Sequence, residues 1–167
     1  KNNAFSLGSG DYLVEVDHDD ELTDNCLLNL LNAYNLQSDI GFVYGNSCEI
    51  YEDKSRIVDY GNDWAFGYGS YRMHTYQNFQ YKMAVTPNIN PKTIRHIVSS
   101  PNHVRSWNKL FYNEIGGHNK NLHVADDYEL CIRSFLETKI VKVDTLTYLQ
   151  YFDNSYSNTQ WIRNTEI

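Results

Sequence analysis

The segment YLVEVDHDDELTD, residues 12 to 24, constrains this chain more than any other. An apolar run from Tyr12 to Val16 leads without a break into Asp17, His18, Asp19, Asp20 and Glu21. Four acids in five positions repel one another. A chain that ends a strand this way must set them against a helix start, solvent or a cation. The run itself reads as a short buried strand over Asp11–Asp17, opened by the turn Gly8-Ser9-Gly10.

A helix is expected next. Thr23 is its N-cap candidate, and Leu27, Leu30, Leu31 and Tyr34 fall at helical spacing. Ile40–Tyr51 reads as a second strand, with Arg56–Tyr60 paired to it as a hairpin. Residues 61–90 mix glycine and aromatics without a clean period, and read as a loop with short strands. Pro91 suits the first position of a helix through KTIRHIVSS. HVRSWNKLF reads as extended, and Tyr112–Ile115 as one helical turn ended by Gly116-Gly117. VADDYELCIRSFLE is the clearest helix, with Tyr128, Cys131, Ile132, Phe135 and Leu136 on its apolar face. Asp126 and Asp127 sit at its start, where the helix dipole favours acids. KIVKVD and LTYLQYF read as closing strands. Strands alternating with helices define an α/β chain with a mixed sheet in a single domain, 1–167.

Hydrophobic residues make up 41% of 167, enough for a sizeable core. A net charge of -7 argues against nucleic acid as a partner and favours a bound cation. Cys26, Cys48 and Cys131 are odd in number and form no CxxC pair. Free thiols in a reducing, cytoplasmic setting are the expectation. No apolar run is long enough to span a bilayer and no signal peptide is visible. The first residue is Lys1 rather than methionine, as in a processed or truncated piece.

Each acid after the strand has an ordinary reading as a helix cap or a solvated loop residue, but that reading does not explain four together. A calcium loop fails, because Leu22 and Leu28 stand where it needs Gly and Glu. A phosphatase of the haloacid dehalogenase type also carries Asp-x-Asp after a strand. It normally continues with a Gly-Thr turn, whereas Asp20-Glu21 follows here. A Mg²⁺ or Mn²⁺ site for a diphosphate fits best, since such ions take one or two carboxylates and complete their shell with phosphate and water. Open α/β sheets bind ligands at the carboxyl ends of their strands.

About a hundred residues later, EIGGHNKNLHVADDYELCIRSF places paired acids at a helix start after a Gly-Gly turn. With KNNAFSLGSGDYLVEVDHDDEL before it and YFDNSYSN after it, the order resembles the family 2 glycosyltransferases of the GT-A fold. His118 stands where that family has an aromatic, and Asp126 where it has Glu. The family's nucleotide-binding half, roughly a hundred residues, has no counterpart in this sequence.

The resemblance implies a GT-A-like mixed sheet flanked by helices and incomplete on its N-terminal side. It implies an inverting transfer from a nucleotide-diphosphate sugar to an acceptor hydroxyl on a glycan, lipid or protein, assisted by Mn²⁺ or Mg²⁺. Asp19 is then the direct metal ligand, and Asp17 reaches the metal through water or contacts the donor ribose. Asp127 matches the base. Asp126 binds the acceptor hydroxyl, or the pair simply caps its helix. Trp64 and Trp107 are candidates for sugar stacking, with core packing as the alternative for each. The competing class is a catalytically silent GT-A-like module that binds a partner or glycan. An unpaired sheet edge left by the missing half is expected to recruit a second copy.

Overall fold

A computed structural model describes residues 1–152. Its order begins with helix α1 (Asn2–Leu7), strand β1 (Tyr12–Glu15), the two-residue strand β2 (Glu21–Leu22), helix α2 (Cys26–Tyr34) and strand β3 (Ile40–Tyr51). The hairpin β4 (Ser70–Tyr76) and β5 (Phe79–Val85) follows, then β6 (Arg105–Asn108), α3 (Lys109–Glu114), α4 (Asp126–Glu137) and β7 (Lys139–Phe152). The fold is α/β, with one mixed sheet flanked by helices.

β3 is the centre. One edge pairs antiparallel with β6 at Phe42–Tyr44 and with β5 at Ser47. The other pairs parallel with β7 along most of its length. β1 lies outside β6, so its outer edge carries no partner strand among the described residues. Both faces of β3 are covered, and every residue from Ile40 to Ile50 is buried, the polar Asn46, Ser47 and Glu49 included. Phe42 and Tyr44 pack with Leu13, Trp107, Tyr112, Leu130 and Cys131 beneath α3 and α4. Val43, between them, points the other way, toward Cys26, Leu30, Ala33 and Tyr34 of α2.

Several expected elements shift. Asn25, not Thr23, precedes the first residue of α2, and the Thr23 hydroxyl donates instead to the Leu146 carbonyl. The buried stripe of α2 is Cys26, Leu30, Ala33 and Tyr34, so Leu27 and Leu31 face solvent. On α4 the core takes Leu130, Cys131 and Ser134, and Leu136 is exposed. Residues 56–60 make one isolated backbone bridge to β3, Ile50–Ile57, rather than forming a strand. The segment after Pro91 makes two short 3₁₀ turns, Thr93–Arg95 and Ile97–Ser99, in place of a helix. The two closing strands are one, β7. The stretch read as a loop with short strands holds a regular hairpin of two seven-residue strands, whose turn puts Gln77 and Asn78 at φ 46° and 63°. That is the twist-matched turn usually signalled by Asn-Gly. The Gly-Gly stop after α3 is present, with φ of 83° and 65° at Gly116 and Gly117. No helix among the described residues is long and apolar enough to cross a membrane. Much of YFDNSYSN lies outside the described residues.

Candidate functional site

The β1–β6 register builds the site. Leu13 pairs with Trp107 and Glu15 with Arg105. Two residues after Glu15 and two before Arg105 stand Asp17 and His103, whose Oδ2 and Nε2 are 3.3 Å apart. A turn from Asp17 to Asp20, closed by the Asp20 amide donating to the Asp17 carbonyl at 3.3 Å, returns a second carboxylate to the same place. One ligand atom each from Asp17, Asp20 and His103 lies within 4.8 Å of the others. Asp19 occupies the outer corner of that turn. It is 57% exposed, 3.6 Å from His18, and outside the cluster.

Tyr148, brought alongside by β7, organises all three. Its hydroxyl donates to Asp20 Oδ2 at 2.8 Å and accepts from the Asp17 amide at 3.0 Å. Its ring stacks on His103, centroids 4.6 Å apart and 15° from parallel. The Tyr151 amide donates to Asp20 Oδ1. The hydrogen bond from His103 pulls the Asp17 carboxyl below its ordinary pKa. Burial pushes Asp20 above its own, against the bonds from Tyr151 and Tyr148. Next to this group Glu49 of β3 is buried, accepts from the Tyr60 hydroxyl at 2.6 Å, and is raised by burial.

The second acidic pair is tied to the first through Arg105. This guanidinium is buried. Its Nε donates to Glu15 Oε2 at 2.8 Å and its Nη1 to Asp127 Oδ2 at 2.6 Å. Lys1 Nζ is 3.1 Å from Glu15 and 3.7 Å from Asp126. Burial alone would raise the Asp127 carboxyl, but Arg105 and Lys1 outweigh it and hold the group well below the carboxylate range. Asp127 is therefore an anion at any physiological pH. The fields of Lys1 and Arg105 also lower Asp17, so both acidic groups share one electrostatic neighbourhood.

The two tryptophans separate. Trp107 is fully buried, packs 4.9 Å from Phe42 and donates to Ser134 Oγ, so it has no face open to a sugar. Trp64 is half-buried in a turn, 5.5 Å from Tyr71, and keeps an accessible surface. Sequence reasoning passed over Glu15, His103, Arg105 and Glu49. The available signal was a charge inside an apolar strand, in YLVEV and again in HVRSW. A groove of about 380 Å³ beside Phe111 and Arg133 involves none of these acids. No family model matches the chain, and no curated protein matches it in sequence.

Proposed function

We propose that this chain carries the metal and acceptor side of an inverting glycosyltransferase. The observation that supports this reading is the meeting of two acidic groups at one end of the sheet. Asp17, Asp19 and Asp20 follow β1, and Asp126 and Asp127 open α4, with Glu15 and Arg105 between them. A displacement at an anomeric carbon needs those two functions side by side. A divalent cation neutralises the leaving diphosphate, and a carboxylate takes the hydroxyl's proton on the other face. Arg105 keeps Asp127 ionised and able to accept a hydrogen bond from the acceptor hydroxyl, at the expense of proton affinity. Asp126, 21% exposed, is available to orient the acceptor.

That same Arg105 pairing favours a second reading, a GT-A-like module without catalysis, in which Asp127 is structural and the exposed Tyr60, Phe66 and Tyr68 hold a glycan. The test is titration with UDP- and GDP-sugars, with and without Mn²⁺, on the longest natural chain containing this sequence. Asp127→Asn should keep metal-dependent donor binding while transfer falls about 10²-fold or more. Undiminished transfer would remove Asp127 from the chemistry, and glycan binding without any turnover would favour the silent module. The unpartnered edge of β1 supports pairing with a second copy, which analytical ultracentrifugation measures directly. Three buried free thiols accord with a reducing, cytoplasmic setting.

A further inference from the structure

The proposed transferase leaves the cation's identity and its protein ligands open, and the described residues narrow both. We propose that His103 is a protein ligand to the cation, together with Asp17 and Asp20, and that the site takes Mn²⁺ in preference to Mg²⁺. The inference rests on reading this edge as a cation site, but not on glycosyl transfer.

Three observations carry it. The first is convergence. Ligands sharing one cation lie roughly 3–4.4 Å apart, given metal–ligand distances near 2.0–2.2 Å. His103 Nε2 is 3.3 Å from Asp17 Oδ2, and all three candidate atoms fall within 4.8 Å, a few tenths of an ångström from that limit. The second is the imidazole. His103 is only 5% exposed, and its Nε2 is aimed at the carboxylates, 3.3 Å from Asp17 Oδ2. The third is preorganisation. One residue, Tyr148, fixes the imidazole plane by stacking, and its hydroxyl holds the Asp20 carboxylate and the Asp17 backbone amide. Outer groups that fix ligand orientation in this way are typical of metal sites. Two carboxylates and a dication sum to neutrality. Asp17, with its side chain 50% exposed, leaves room on the solvent side for phosphate oxygens and water.

The metal preference follows from the nitrogen. Mg²⁺ binds oxygen and dehydrates reluctantly, whereas imidazole suits first-row transition ions. Asp19, at the outer corner of the turn, becomes a dispensable neighbour.

The test is direct binding of Mn²⁺ and of Mg²⁺ by calorimetry. The proteins are wild type, His103→Gln, Asp20→Asn, Asp19→Ala and His18→Ala, each checked for fold by circular dichroism. Wild type should bind one Mn²⁺ more tightly than Mg²⁺. His103→Gln and Asp20→Asn should each weaken Mn²⁺ by about 10-fold or more, while Asp19→Ala and His18→Ala change it less than about 3-fold. Because a buried variant can misfold, pulsed electron paramagnetic resonance on Mn²⁺-loaded wild type, unlabelled and with ¹⁵N-histidine, gives an independent readout. A nitrogen coupling that changes with the label supports the proposal, and its absence overturns it. Mn²⁺ affinity unchanged in His103→Gln but lost in Asp19→Ala would overturn this ligand set and leave the transferase reading intact. No Mn²⁺ binding at all would overturn both.

Discussion

Replacing Arg105 with methionine probes the ion network at its centre. The arginine side chain is 3% exposed, Glu15 5% and Asp127 31%. Methionine keeps much of the stem's volume and removes the charge. Glu15 then retains the half-exposed Lys1 at 3.1 Å in place of a buried guanidinium. Removing one partner of a buried ion pair costs roughly 3–5 kcal/mol. Against a domain stability on the order of 5–15 kcal/mol, that is roughly a fifth or more. Most of the loss belongs to Glu15, because Asp127 is partly screened by solvent.

The pH dependence gives the argument a sign. In wild type, burial raises Glu15 and Asp127, but Arg105 and Lys1 outweigh it and depress both. Their contribution is therefore fully present above the unfolded values of about 4, and is lost as pH falls through the depressed folded values. Without the guanidinium, burial dominates at Glu15 and its folded pKa rises. Stability of the variant is then lost as pH climbs above about 4. Urea unfolding of both proteins near pH 4.5 and near pH 7.5 measures this. The gap should be about 3–5 kcal/mol at the higher pH and narrower at the lower one. Adding Glu15→Gln should recover about 1–2 kcal/mol at the higher pH. A gap below about 1 kcal/mol, or one equal at both pH values, would refute the reasoning.

Trp107→Ala should destabilise by roughly 3–5 kcal/mol in urea unfolding, because a fully buried indole leaves a cavity, whereas Leu31→Lys on the exposed side of α2 should change stability by less than about 0.5 kcal/mol. Gly45→Ala would place a methyl 2.8 Å from Thr147 Cγ2 and closer still to its Oγ1, and should cost roughly 1–3 kcal/mol in the same measurement. Tyr148→Phe removes the hydroxyl shared by Asp17 and Asp20 and should cost roughly 1–3 kcal/mol. Losing that hydroxyl also frees the Asp20 carboxylate from its fixed orientation, so Mn²⁺ affinity should fall, as calorimetry would record.

β1 and β3 are legible in the sequence because their apolar runs are short and bounded by turn residues, and α4 because its acids and periodicity coincide. The buried face of α2 is not, since Leu27, Leu28, Leu30 and Leu31 satisfy more than one helical stripe. Which stripe turns inward is set by how α2 lies across β3 and β7. The β4–β5 hairpin escapes notice because its turn is Gln77-Asn78, which lacks the glycine that usually marks this geometry. The acidic run after β1 is plain to see, but the position of each acid within it depends on a turn. That turn sends Asp19 outward and brings Asp20 back beside Asp17. Arg105 shows only as a charge inside the apolar HVRSW run, and His103 carries no comparable mark. They join the acids only through the β1–β6 register, roughly 85–90 residues away in sequence.

β2 fastens the acidic run to β7, with Glu21 opposite Leu149 and Asp20 held by Tyr148 and Tyr151. These contacts span 128 and 131 residues. Closing a loop of that size in an otherwise open chain costs roughly 4 kcal/mol of entropy before any contact repays it. The acids therefore cannot be gathered early in folding. During synthesis they leave the ribosome long before Tyr148 exists, and stay hydrated and apart until the last strand docks on β3. Their assembly marks the end of folding, and a cation held there would report that the whole sheet has closed.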